Sequence, residues 1–266
     1  MNARRGQVRR GIRAESVRVG GARSVLSLGA VPGAILLPLV VTFGVATVAE
    51  RFASISDRIQ VTSVATGNSV YWVITFTVMG WAVVAAYAQA TAERGAVADT
   101  VRYLYPRAWT GPVARWLYYG GLAAACSAIL VGLVLLALPA LYPKVYGGVD
   151  LFSAVGVRFV GTVPLYAFLA VGLGVGLAAV VGHPAGVVVG LLGWTYLVEQ
   201  AVGLLPNGYT VQRYMPFLNG IFGTGQELAF LPSWGRTGAL VYFGAVAVVV
   251  FGLGCLASRR RRHPDG

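Results

Sequence analysis

Five long stretches of the chain carry no Asp, Glu, Lys or Arg: 24–49, 59–92, 116–143, 159–198 and 237–258. A helix that crosses a bilayer needs about 20 mostly apolar residues, so four of these stretches hold one span each. The stretch 159–198 is too long for one helix, and Gly182-His183-Pro184 lies near its middle. Proline ends or kinks a helix and disfavours helical geometry in the residue before it. Two spans joined by a very short turn are therefore expected there. The pattern predicts an all-α integral membrane protein with six transmembrane helices, at 29–49, 69–90, 117–140, 159–181, 185–204 and 237–257.

Composition excludes the other broad classes. The 266 residues are 57% hydrophobic and 11% charged, whereas soluble domains carry about 25% charged residues. Disorder needs low hydrophobicity, and two cysteines make no disulfide framework. The net charge of +12 fits nucleic acid poorly, because the charges sit in short islands between apolar runs. No nucleic-acid partner is expected.

Lys and Arg concentrate in cytoplasmic segments. An even number of spans puts Arg4, Arg5, Arg9, Arg10, Arg13, Arg18 and Arg23 on the same side as Arg259 to Arg262 and the loop residues Arg94, Arg102, Arg107 and Arg115. That side then holds most of the 21 basic residues, so both termini are expected in the cytoplasm. The first apolar run exceeds the roughly 7–15 residues of a signal-peptide core, so it reads as a retained span. The organisation is one membrane domain: a basic cytoplasmic or interfacial segment at 1–28, the transmembrane domain at 29–257 and a basic cytoplasmic tail at 258–266.

Three segments outside the spans have character of their own. Residues 10–24 interleave Ile12, Val17 and Val19 with arginines, which suits a helix lying in the headgroup layer. The cytoplasmic loop 91–116 repeats Val97, Val101, Leu104 and Tyr105 at helical spacing before Pro106, giving a short helix with one apolar face. Docking of that face and a solvated connector are both open. The outer segment 205–236 is too apolar for a plain loop and too broken by Pro206, Pro216 and Pro232 for a span. Two short re-entrant helices are expected, capping a pathway.

Chemistry-bearing motifs are few. No GxxxxGK[ST] loop, HExxH or GxSxG is present. Cys126 and Cys255 fall within spans and read as packing residues. His183 reads as a polar turn residue, and Gly172 to Gly176 (GLGVG) as a helix-packing stripe. Glu199 and Gln200 lie near the outer end of the fifth span, with Arg213 and Tyr214 following in the outer segment. An ionisable group there faces either a cavity or interfacial water, and both readings of Glu199 stay open. Arg158 and Arg213 are its candidate partners.

The order of these features resembles the membrane subunit of a type-two ABC exporter, the permease family of many bacterial antibiotic and lipid exporters. The resemblance is carried by Arg13-Ala14-Glu15 before the first span and Glu93-Arg94-Gly95 after the second. Arg102, Pro106-Arg107 and Arg115 follow before the third span, and a long broken outer segment precedes the sixth. In that family the loop after the second span carries a coupling helix that fits a groove on the ATPase. The resemblance therefore implies coupling roles for Glu93, Arg94, Gly95, Arg102, Pro106 and Arg107, and the apolar face of the same loop adds Val97, Val101 and Leu104 as candidates. Glu199, Gln200, Arg213 and Tyr214 are the candidates for a pathway or outer gate. The resemblance also implies two copies of an ATP-binding subunit that hold ATP and Mg, a second permease chain, membrane lipid around the assembly, and no cofactor or enzymatic activity in this chain.

The function expected on this basis is ATP-driven export of a hydrophobic or amphipathic compound, such as a drug, an antibiotic or a lipid-like molecule, across the bacterial plasma membrane. The alternatives are a membrane scaffold with no transport role and an ion-coupled transporter using Glu199.

Overall fold

A computed structural model describes residues 2–19, 23–55, 63–94, 98, 107–229 and 231–262. Ten helices are used below: α1 (Asn2–Arg18), α2 (Leu26–Ala53), α3 (Tyr71–Ala92), α4 (Thr110–Leu141), α5 (Pro143–Tyr146), α6 (Ala154–Val181), α7 (Pro184–Leu204), α8 (Gly208–Gln212), α9 (Pro216–Thr224) and α10 (Gly235–Arg262). No strand occurs among the described residues. Six helices are long and apolar enough to cross a membrane: α2, α3, α4, α6, α7 and α10. This is a multi-pass, all-helical architecture, as the charge-free runs predict.

The largest boundary difference is at α4, which begins at Thr110 rather than at 117. Arg115 caused the shift. A lone arginine reads as the edge of an apolar run, but here it is buried and paired inside the helix.

Two helices form the centre. In the most apolar stretch of α3, 72% of residues are buried, and in α6, 67%; the same share is 22% in both α2 and α7. So α3 and α6 are surrounded by the others, and α2 and α7 lie at the periphery. The GLGVG stripe explains how α6 reaches three neighbours at once. A Cβ on Gly172 would strike the Trp116 ring of α4, one on Gly174 the Ala82 carbonyl of α3, and one on Gly176 the Phe251 backbone of α10. Small residues let helix backbones approach closely where lipid offers no hydrophobic drive for association. Trp116 then fills the gap between Phe168 and Phe251, its ring centre 4.5 Å from that of Phe251, and its indole N–H donates to the Phe168 carbonyl at 2.8 Å.

The turn between α6 and α7 has the predicted form. Gly182 adopts φ 68°, a left-handed conformation that glycine takes without steric penalty. His183 caps α7, its Nδ1 accepting from the Gly186 N–H at 3.2 Å, and Pro184 opens the helix. The segment 205–236 contains two short helices, α8 and α9.

The N-terminal segment is helical, but its docked face differs from the apolar reading. Gly11, Glu15 and Val19 are buried at four-residue spacing against α4, while Val17 stays exposed. Of the two valines only Val19 shares the buried stripe that carries Glu15. Gly95, Val97, Val101, Arg102, Leu104 and Pro106 lie outside the described residues.

Candidate functional site

Two polar assemblies stand out in this apolar bundle, one at each end. At the end that carries both termini, Arg115 donates from Nε to Glu15 Oε1 at 2.8 Å and from Nη1 to Gln89 Oε1 at 2.7 Å. Glu15, Gln89 and Arg115 are all buried. Arg18 lies 3.1 Å from Glu15 Oε2 and also donates to the Ala88 carbonyl at 3.2 Å. One turn beyond Gln89, its amide donates to Glu93 Oε1. The same carboxylate accepts from Ser258 Oγ at 2.8 Å and from Arg261 Nη1 at 3.3 Å.

Arg261 reaches further, to the Val180 carbonyl at 2.6 Å, and Arg94 donates to the Gly182 carbonyl at 2.6 Å. The Val180 carbonyl belongs to the last turn of α6, whose partial negative charge favours cations, and the Gly182 carbonyl to the cap that follows it. One connected set of side chains thus ties α1, the end of α3, the start of α4, the α6–α7 turn and the end of α10. Within this set Glu15 and Arg115 are buried, and buried charges persist only when paired and hydrogen-bonded.

Of the residues assigned to coupling, the structure places Glu93 and Arg94 within this network. Arg107 donates to Gln7 of α1 at 3.3 Å. The remaining residues assigned there lie outside the described chain. Glu15, Gln89, Arg115, Ser258 and Arg261 complete the network. Gln89 had a legible signal, since it precedes Glu93 by four positions on one helix face. Ser258 and Arg261 had none beyond their place at the end of a span.

The second assembly is built on Glu199, which is fully buried. Oε1 accepts from Trp194 Nε1 at 2.8 Å and from the Phe217 N–H at 3.1 Å, and Oε2 accepts from the Leu218 N–H at 2.8 Å. Phe217 and Leu218 are in the first turn of α9, where backbone N–H groups lack helical partners. Glu199 therefore satisfies the N-terminus of α9 from a different helix. Arg158 does the converse at the other end, donating from Nη2 to the Gly223 carbonyl at 2.8 Å. A carboxylate at the N-terminus and a guanidinium at the C-terminus both complement the helix dipole.

Neither candidate ion-pair partner of Glu199 holds it: Arg158 is engaged at the far end of α9, and Arg213 is exposed, its carbonyl accepting from Asn219. Gln200 is exposed as well. The neighbour that approaches is Gln212, whose amide donates to the Glu199 carbonyl at 3.0 Å. Tyr214 is exposed, stacks edge-on against Trp234 with ring centres 5.7 Å apart, and its carbonyl accepts from Tyr242. The four residues read as an outer gate therefore do not form one cluster. Glu199 is a buried cap, Gln200 falls on the exposed face of α7, and Arg213 and Tyr214 lie in the exposed turn after α8.

No group of three or more His, Cys, Asp or Glu that could hold a metal ion occurs among the described residues. Comparison of the chain with protein-family models, with curated proteins and with solved structures finds no match. Its class is therefore defined by the fold itself, a multi-pass membrane protein with six helices long and apolar enough to cross a bilayer and a polar network at one end.

Proposed function

We propose that this chain is the membrane subunit of an ATP-driven exporter of the type-two ABC class, moving a hydrophobic or amphipathic compound. On this reading it sits in a bacterial plasma membrane with both termini in the cytoplasm. Two copies of a separate ATP-binding subunit hold ATP and Mg, and a second permease chain completes the pathway. Few charges lie within the spans, which suits such a cargo better than an ion or a sugar.

The observation that carries the reading is the attachment of the loop after α3. An element that transmits force must be fixed to the helices it moves. Glu93 and Arg94 hold its entrance to α10 and to the α6–α7 turn, and Arg115 holds its exit to α1 and α3. Displacement of these two flanks would be passed to the helices they hold. An ATPase docked there can bias two arrangements of the bundle only by its differential affinity for them. The three N–H donors on Glu199 favour a fixed cap over a proton-carrying site, so the ion-coupled reading gains no support from that residue.

The test is purification of the tagged chain from its native membrane. Recovery of a stoichiometric Walker-type ATPase, lost on combining Val101→Asp with Leu104→Asp while the chain still inserts, supports the reading. A chain that purifies without an ATPase, or that transports in liposomes without ATP, defeats it.

A further inference from the structure

Of the exposed arginines at the termini end that the network does not engage, Arg9, Arg13, Arg23, Arg259 and Arg260 among the described residues, Arg23 alone lines a groove. Arg23, just before α2, is exposed and has no hydrogen-bond or ion-pair partner among the described residues. It stands at the mouth of a groove of about 410 Å3 between the peripheral helices α2 and α7, floored by α3. The Tyr87 side chain, 43% exposed, shares the mouth, and its hydroxyl is likewise unpartnered among the described residues. Behind them the groove is apolar: Val83 and Val84 form the floor, and Leu28 and Val188 stand on the two sides. No Asp or Glu lines it.

The depth of these groups is informative. Arg23 precedes the first turn of α2, Tyr87 lies in the last turns of α3, and Val188 in the second turn of α7. All are at the same end of the bundle, with the cation at helix-end level and the apolar trough running inward. A small anion would use the mouth and leave the trough empty. A second copy of the chain would bring its own basic end, since Arg9, Arg10 and Arg13 are also exposed there, and like charges would meet. An amphiphile with one negative headgroup and an acyl chain satisfies both parts of the groove.

We infer that the groove between α2 and α7 is a binding site for an anionic phospholipid, its phosphate on Arg23 and Tyr87 and its acyl chain along Val83, Val84, Leu28 and Val188. The site is independent of the transport reading, because it needs neither an ATPase nor a cargo.

The test is native mass spectrometry of the full chain in detergent, with added phosphatidylglycerol, phosphatidylcholine of the same chains, or inorganic phosphate. One phosphatidylglycerol should be retained per chain, with a preference over phosphatidylcholine of about fivefold, the gain of one arginine at an anionic surface. Arg23→Gln should abolish the preference, and Val188→Trp, which fills the trough, should abolish retention of both lipids. Arg10→Gln, on the exposed face of α1, should change neither. If Val188→Trp does not stay monodisperse, Leu28→Trp blocks the opposite side of the groove.

Equal losses from Arg23→Gln and Arg10→Gln would mean diffuse attraction and overturn the site. So would displacement of the lipid by phosphate alone. So would a trough-filling variant that keeps the lipid while changing the oligomeric state, which would identify the groove as a contact between copies.

Discussion

Arg115 Nε lies 2.8 Å from Glu15 Oε1, joining positions 100 residues apart with both side chains buried. The pair fixes the N-terminal helix to the bundle at the point where α4 begins. Removing Glu15 leaves the Arg115 charge buried with only the neutral Gln89 beside it, which costs about 3–5 kcal/mol. Glu15→Ala should lower stability by about that amount, and Arg115→Ala by less, because Arg18 still lies 3.1 Å from Glu15. The double variant Glu15→Leu/Arg115→Met should recover more than half of either loss, because it leaves no orphaned charge. Unfolding in detergent micelles, analysed as a double-mutant cycle, checks this. Simple additivity of the two losses would show that the pair is not coupled.

Glu199 should behave as a helix cap. Glu199→Gln keeps one carbonyl oxygen for Trp194 and Phe217 but turns an amide group toward the Leu218 N–H, at a cost of about 1–3 kcal/mol for the unmade bond. Glu199→Ala deprives all three donors. Hydrogen exchange across 216–224 should accelerate in the order wild type, Gln, Ala, with little change in α3 and α6. Uniform acceleration throughout the chain would contradict a local role.

Arg158 should act on the same helix from its other end. Charge at a helix terminus contributes about 0.3–1 kcal/mol, and up to about 2 when partly buried. Arg158→Ala should destabilise α9 by an amount in that range, and Arg158→Lys by less. α9 has nine residues and so spans about 13 Å at 1.5 Å per residue. Sites so far apart with no shared partner combine additively, so the Arg158 and Glu199 losses should sum. A protease-resistance or exchange measurement on the double variant decides it.

The glycines of α6 should divide by what faces them. A Cβ at Gly174 would sit 2.7 Å from the Ala82 carbonyl oxygen, which belongs to backbone and has little room to yield. Gly174→Ala should therefore cost about 1–3 kcal/mol through overpacking. Gly161, on the same helix, has nothing within 4 Å of its Cβ position. There alanine should be neutral or should add about 0.5–1 kcal/mol by restricting the unfolded chain. Thermal shifts of opposite sign, or one loss beside no change, agree with this. Equal losses would not.

Much of the architecture was legible from local pattern. Span positions followed from charge-free runs because transfer of apolar surface from water into lipid accumulates over about 20 consecutive residues and depends little on what lies elsewhere in the chain. The Gly182-His183-Pro184 turn was equally local, set by a left-handed glycine, a capping side chain and a proline. The small-residue stripe at 172–176 could be read as packing, though not which neighbour each glycine would meet.

The polar partnerships belong to a different scale. Arg115 looked like the edge of a span until Glu15 and Gln89 closed around it. Glu199 was open between a cavity, interfacial water and an arginine partner until α9 presented its free N–H groups. The apolar residues run almost evenly around each span, so sequence alone determined that six helices cross and where they turn, but not how each is rotated. Rotation decides which buried donor meets which acceptor. Only packing of the helices against one another settled that, because an unpaired polar group inside the bundle costs more free energy than most helix contacts return.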